Sequence, residues 1–251
     1  LVLAIGRFSN PPALEDLAGL SLDEADLDGI RRCRPGACDL KLSASEIEAI
    51  KRVSAEAGPD WKDALQRAFR RLVLERVNVY QSRGGEGLSS YHDQADPVRP
   101  QDTFAAILRD SPSLRLHVPQ FAAYLERYPR EELRGVESFL YWSNEQFGGK
   151  PTVSVTHVNI LRTDPDPVVP AVLVAGRQIF ATHYMNGALS LTTVLPGRAG
   201  SSGYLVHLNR SEVDALGGLF GPLKRAIIEG RIKRDTAEVF RGLRSRLESG
   251  S

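Results

Sequence analysis

Two spacings of apolar residues divide this chain. Over roughly the first 135 residues they recur every three or four positions, the repeat of a helix with one buried face. "LSLDEADLDGIRR" reads as a short acidic-capped helix, and "SASEIEAIKRVSAEAG" as a second, with Ser43 or Ser45 as its cap and Glu46 in its first turn. The clearest helix is "PDWKDALQRAFRRLVLERVNVYQSRGG". Pro59 opens it, Gly84 and Gly85 close it, and Trp61, Leu65, Phe69, Leu72, Arg76 and Tyr80 share one face. Two more follow, "PQDTFAAILRD" and "SPSLRLHVPQFAAYLERYP", the second broken at Pro119. "LSSYHD", before these two, reads as a short strand. From Lys150 onward the spacing drops to two. "KPTVSVTHVNILR", "VVPAVLVAG", "RQIFATHYM", "ALSLTTVLP" and "GYLVHLN" read as strands, and the opening "LVLAIGRF" as a strand rather than the remnant of a removed signal segment. The 3.6 period returns after Arg210, where Leu223, Ile227, Gly230, Ala237, Phe240, Leu243 and Leu247 lie close to one stripe of a long closing helix.

The expected fold is therefore α+β: a mainly helical N-terminal half, then a curved antiparallel sheet packed on a long C-terminal helix. The whole chain, 1–251, is expected to form one domain, with 1–135 helical and 136–251 carrying the sheet and last helix. The stretches around Gly84–Gly87, Asp164–Pro170 and Pro196–Gly203 are the only linker-like segments.

Asn186-Gly187 between two β-rich runs predicts a two-residue hairpin turn. That register sets Tyr184 opposite Leu189 and His183 opposite Ser190. Phe180, Tyr184, Leu189 and Leu191 then form a bulky apolar face, and His183 lies on a face of small residues. A cross-strand His-Ser pair is the geometry of a base beside a nucleophile. No G-x-S-x-G elbow and no orienting carboxylate accompany it, so incidental hydrogen bonding is the simpler reading. His157, His183 and His207 all fall on strands, but no ligand-spaced partner accompanies any of them, and no metal is expected. His92 and His117 stand alone. "GGKPT" lacks the spacing of a phosphate loop. "GVESFLYWSNEQFGG" gathers Phe139, Tyr141, Trp142 and Phe147, an aromatic cluster expected to pack beside the sheet, with lining for an apolar ligand as the functional alternative.

Composition changes this picture in two ways. With 32 basic against 31 acidic residues the chain has no bulk charge for nucleic acid, and no apolar run is long enough to span a bilayer. Basic residues do concentrate in the closing helix, eight between Lys224 and Arg246 against Glu229, Asp235 and Glu238, where they offer contact to an anionic membrane surface or simply a solvated face. The two cysteines, Cys33 and Cys38, flank Arg34-Pro35-Gly36-Ala37, a sequence suited to a type II turn. Such a turn brings them to disulfide distance, and a disulfide points to an exported protein, periplasmic or secreted. A redox pair, free thiols or half a metal site are the alternatives.

Over about residues 150–247, the strands "PTVSVTHVNILR", "RQIFATHYMNGALSLTTVL" and "GYLVHLNRSEV", followed by the helix through "FRGLRSRLE", resemble the START/Bet v 1-like superfamily of polyketide-cyclase-like and lipid-transfer proteins. The resemblance implies a helix-grip fold holding a hydrophobic small molecule or lipid between the sheet and the last helix. It assigns the cavity wall to Phe180, Tyr184, Leu189 and Leu191 on the hairpin and to Ile227, Phe240 and Leu243 on the helix. No cofactor is implied. Residues 9–135 are longer and more helical than the family's usual insertion. An exported carrier is the leading expectation. An enzyme of cyclase or hydrolase type, using His157 or His183 with Tyr184, is the second. A non-catalytic interaction module is the third.

Overall fold

The computed structural model describes residues 2–147, 149–163, 170–195 and 203–214. The chain separates into two compact units, Leu1–Glu212 and Val213–Ser251. Almost all of the second lies outside the described residues, including the closing helix with Ile227, Phe240, Leu243 and its basic face.

The first unit is α+β, with six helices preceding most of a six-stranded antiparallel sheet. The helices are α1 (Glu24–Arg32), α2 (Ala44–Glu56), α3 (Trp61–Arg83), α4 (Pro100–Arg109), α5 (Pro112–His117) and α6 (Pro119–Arg127). The strands are β1 (Val2–Arg7), β2 (Val136–Phe147), β3 (Lys150–Arg162), β4 (Val172–Ala181), β5 (Met185–Leu195) and β6 (Tyr204–Val213), and they lie in the sheet in that order. Each strand from β2 onward thus returns beside its predecessor, while β1 reaches across from the N-terminus to pair with β2.

Local chemistry explains the helix boundaries. The Asp23 carboxylate accepts from the Asp26 amide at 2.7 Å to start α1. Ser43 and Glu46 form a reciprocal capping box at the start of α2. Pro119 separates α5 from α6, since its ring and missing N–H prevent one continuous helix. Buried on α3 are Leu65, Phe69, Leu72, Val73, Arg76, Val77 and Tyr80, the expected stripe, while Trp61 at its start is only half-buried.

The glycines after α3 form a tight 3-10 turn, Gly84–Gly87, rather than a linker, and Gly84 and Gly85 are both buried. Gly84 has φ 66°, and a Cβ there would collide with the Tyr128 carbonyl oxygen. Gly84→Ala is therefore expected to cost about 2–3 kcal/mol, read as a lower thermal midpoint. Gly149→Ala, with no atom within 4 Å of its added methyl, should change nothing.

Helices cover one face of the sheet. Leu140, Trp142, Val153, Val155, Ile179 and Phe180 pack against α1–α3 in one core, whereas Leu161, Leu173, Ala175 and Leu189 pack with residues of α4–α6 in a second. "VESFLYWSNEQF", expected as a packed aromatic cluster, is strand β2, and the segments "VLVAG" and "RQIFA" of the two expected strands are one strand, β4. "LSSYHD" contributes only an isolated bridge, Tyr91 to Val98.

The hairpin register differs most from expectation. Arg177 opposes Leu189 and Gly176 opposes Ser190, so the turn centres on Thr182–Tyr184, and Asn186 and Gly187 belong to β5. The expected pairs His183–Ser190 and Tyr184–Leu189 do not form. A bulge also interrupts β4: Val155 pairs with Phe180 while Thr156 pairs with Gln178. The extra residue places consecutive Ile179 and Phe180 both in the core.

Cys33 and Cys38 are bonded, with Cα atoms 4.4 Å apart. Gly36 at φ 85° and the Ala37 N–H to Arg34 carbonyl bond of 2.9 Å give the expected turn.

Candidate functional site

Among the described residues, three polar arrangements and one partly exposed sheet face are the candidates. The first surrounds the β4–β5 turn. Thr182 anchors it: its N–H donates to the Val153 carbonyl at 2.8 Å, its hydroxyl accepts from the Val153 amide at 3.0 Å, and its carbonyl accepts from the Lys41 amide at 2.9 Å. So constrained, Tyr184 takes a left-handed backbone with φ 61°, which costs about 1 kcal/mol or more for a residue with a β-carbon.

His183 is 3% exposed, and both of its ring nitrogens are engaged. Nδ1 lies 2.9 Å from the Asp39 carbonyl, which only accepts, so Nδ1 carries a hydrogen. Nε2 lies 2.9 Å from Asp26 Oδ2, within hydrogen-bond distance. Asp26 is also buried, and its Oδ1 has no partner. With no lone pair facing a cavity, His183 fastens α1 and the Asp39 segment to the turn. It is not arranged as a base.

Beside it Lys41, 1% exposed, donates to Asn186 Oδ1 at 2.7 Å and pairs with Asp93 Oδ2 at 3.1 Å. The Tyr91 ring lies 5.3 Å from its ammonium, and burial pushes the Tyr91 pKa up to about 12. Asn186 Nδ2 in turn donates to Glu212 at 3.3 Å.

The second arrangement is a polar seam between the two cores. His157 and Arg177 pair across β3 and β4, and both are buried. Arg177 donates to the Leu125 carbonyl at 2.8 Å and to Gln101 Oε1 at 2.5 Å, with its guanidinium 3.9 Å over the Phe104 ring. His157 Nδ1 lies 2.9 Å from the Tyr80 hydroxyl, and the Tyr128 ring packs 4.5 Å away. Burial raises the Tyr80 pKa far above its ordinary value, against the opposing pull of Arg177, so Tyr80 is the donor and Nδ1 the acceptor. Burial, with the Arg177 charge second, lowers the His157 pKa to about 3. The Tyr124 hydroxyl donates to Asn159 Oδ1 at 3.0 Å. These groups hold one another in a closed space, with only the buried Arg177 Nε lacking a partner, which suits architecture rather than turnover.

The third is a cleft of about 250 Å³ lined by Ser45, Glu46, Glu75, Arg76, Leu88 and Ser89. At its base Arg76 binds Glu46 through Nε at 2.8 Å and Nη2 at 2.5 Å. Burial works to raise the Glu46 pKa, but the Arg76 charge and the Ser43 cap hold it below the usual value. The two charges therefore pair with each other, and only the buried Arg76 Nη1 is left without a hydrogen-bond partner.

The partly exposed surface is the sheet face turned away from the two cores. Cross-strand pairing sets Tyr141, Thr156 and Gln178 in one row, Phe139, Val158, Gly176 and Ser190 in the next, and Ile160, Val174 and Thr192 in a third. Apart from buried Gly176 these residues are partly exposed, and none belongs to either helix-covered core. Arg7 lies 4.3 Å over the Phe139 ring at one margin. Apolar branches interleaved with hydroxyls give a surface that holds an apolar molecule and orients a polar group on it.

The residues singled out from sequence are not brought together. His157 lies in the seam, His183 in the turn, and His207 on β6, where its Nδ1 meets the Thr192 hydroxyl at 2.8 Å. Among the described residues no His, Cys, Asp and Glu group could hold a metal ion. Phe180 and Leu189, expected on a ligand wall, are 1% exposed beneath the helices, and Leu191 packs at the edge of the second core. Tyr184 sits in the turn, its ring 5.8 Å from His183. Asp26, Lys41, Asp93 and Arg177 escaped notice. Only Arg177, a charge inside an apolar strand, carries a local signal.

Comparison with protein-family models, curated proteins and solved structures returns no match. Among the described residues no helix is long and apolar enough to cross a membrane.

Proposed function

We propose that this protein is an exported carrier that binds a hydrophobic small molecule or lipid against the partly exposed face of its sheet, the one turned away from the two helix-packed cores. The supporting observation is that face itself. Phe139, Tyr141, Val158, Ile160 and Val174 lie partly exposed in adjacent rows, with Thr156, Ser190 and Thr192 between them. Apolar side chains left partly exposed in adjacent rows gain from contact with an apolar molecule. This places the ligand wall on the opposite side of the hairpin from Phe180 and Leu189, and keeps the carrier function that the START/Bet v 1 resemblance implies. The bonded Cys33–Cys38 pair supports export, because such bonds persist in oxidising compartments. Basic residues between Lys224 and Arg246 supply attraction to anionic headgroups during exchange with a membrane.

Native mass spectrometry of the full chain after mild purification tests the reading, together with titration of an environment-sensitive apolar dye. A co-purified lipid mass, or dye binding, is expected. Val158→Lys, on the half-exposed face, should weaken dye binding at least tenfold while leaving the circular dichroism spectrum intact. A chain that carries nothing and takes up no dye, or a Val158→Lys variant that binds as well as the parent, would rule the proposal out.

A further inference from the structure

We propose that Lys41 and Asn186 become joined by an intramolecular isopeptide bond, formed by the protein on itself. The lysine nitrogen donates to the side-chain carbonyl oxygen of Asn186 at 2.7 Å, the oxygen bonded to the amide carbon it would attack. Asp93 Oδ2 lies 3.1 Å from the same nitrogen. Glu212 Oε1 lies 3.3 Å from Asn186 Nδ2, the nitrogen that would leave. Lys41 is 1% and Asn186 5% exposed, so water does not compete for the amide carbon.

Both reacting groups are anchored to the same turn. The Lys41 backbone amide donates to the Thr182 carbonyl at 2.9 Å, four residues before Asn186. Asp93 is held by its own backbone, whose carbonyl accepts from the Cys38 amide at 3.0 Å. Residues 145 apart in sequence are thereby fixed in contact, and such fixing raises effective concentration to about 10⁵ M or more for well-oriented groups.

The step balances within the site. Asp93 takes a proton from the Lys41 ammonium, and the freed amine attacks Asn186 Cγ to give a tetrahedral centre. The protonated Asp93 returns its proton to Nδ2, assisted by the hydrogen bond from that nitrogen to Glu212. The Cγ–Nδ2 bond breaks and ammonia departs, while Asp93, again a carboxylate, takes the second proton from Nζ and passes it to the ammonia, so that a secondary amide remains between Nζ and Cγ and ammonium leaves. Ammonium is the only by-product, and no oxidant or co-reactant is consumed. The product staples the segment after the disulfide loop to the start of β5.

Intact-mass measurement on the denatured, disulfide-reduced full chain reads the outcome. The parent is expected to be lighter than its sequence by one ammonia. Trypsin should fail to cut after Lys41, and fragmentation should find a branched peptide joining the Lys41 and Asn186 segments. Lys41→Arg, Asn186→Ala and Asp93→Asn should each restore the full sequence mass. A parent of full sequence mass with Lys41 cleaved by trypsin overturns the proposal, and needs no variant to fold. Loss of ammonia with Lys41 still cleavable also overturns it, since a succinimide at Asn186-Gly187 loses the same mass. Loss of water, joining Lys41 to Asp93, overturns it as well.

Discussion

Arg177→Leu should remove about 4 kcal/mol or more of stability, enough to unfold a marginal domain at room temperature. Arg177 is 1% exposed at the centre of β4, and no carboxylate forms a salt bridge with it among the described residues. Burial pulls its pKa below the usual guanidinium value. What holds the charge is the end of α6. The Leu125 carbonyl belongs to the last turn of that helix, where unpaired carbonyls carry the negative end of the helix dipole. Gln101, bonded to Arg177 through Oε1, also reaches the Glu126 carbonyl with Nε2 at 3.5 Å. Arg177 and Gln101 thus jointly cap α6 from inside the core. Leucine would leave the Leu125 carbonyl and Gln101 Oε1 buried without donors, at about 1–3 kcal/mol each, and would add a void beneath Phe104. Arg177→Lys keeps the charge but lacks the planar fork that serves both acceptors, so it should lose nearly as much. Urea titration followed by circular dichroism measures the difference. A leucine variant within about 1 kcal/mol of the parent would show that the seam stabilises nothing.

The same seam shows which parts of this fold were legible in the amino-acid order. Features decided by neighbours in sequence read correctly: the Ser43–Glu46 capping box, the α3 stripe, the break at Pro119, and the turn that closes Cys33 on Cys38. Features decided by distant partners did not. Asn186-Gly187 has the composition of a hairpin turn, yet Asn186 is held by Lys41, and Gly187 serves packing: a Cβ there would stand 3.0 Å from Thr103 on α4. Thr182–Tyr184 turns instead because Val153, Lys41 and Asp26 fasten it from three other segments. Strand β2 hid because Phe139 and Tyr141 on one face match Leu140 and Trp142 on the other, erasing the period-two contrast. Arg177 read as a boundary between strands because a lone charge is rarely central to one. The cluster of Asp26, Lys41, Asp93 and His183 had no local signature, since its members meet across as many as 157 residues.

Acid should destabilise this protein well before its carboxylates protonate, and His157 is the reason. In the folded chain its pKa lies at about 3, against an ordinary value of 6.5, because the imidazolium would have to form in a buried space beside the Arg177 charge. Protonation at Nδ1 would also expel the Tyr80 hydrogen bond, since Tyr80 keeps its own proton. Below pH 6.5 the unfolded chain therefore binds a proton that the folded chain refuses. Stability is complete above about pH 6.5, falls by up to 1.4 kcal/mol per unit as pH drops towards 3, and levels off below that. At pH 4.5 the loss should be roughly 2–3 kcal/mol. Glu46, with its pKa held below the usual 4.5, adds to acid sensitivity only under that pH, so the interval from 6.5 to 4.5 isolates the histidine. His157→Gln offers Tyr80 an acceptor without a titrating ring. It should be less stable than the parent at pH 7.5 through imperfect packing, but nearly indifferent to pH across that interval. Urea midpoints at pH 7.5, 5.5 and 4.5 decide the matter. If parent and variant lose equal stability between 6.5 and 4.5, the proton that unfolds this domain is taken up elsewhere.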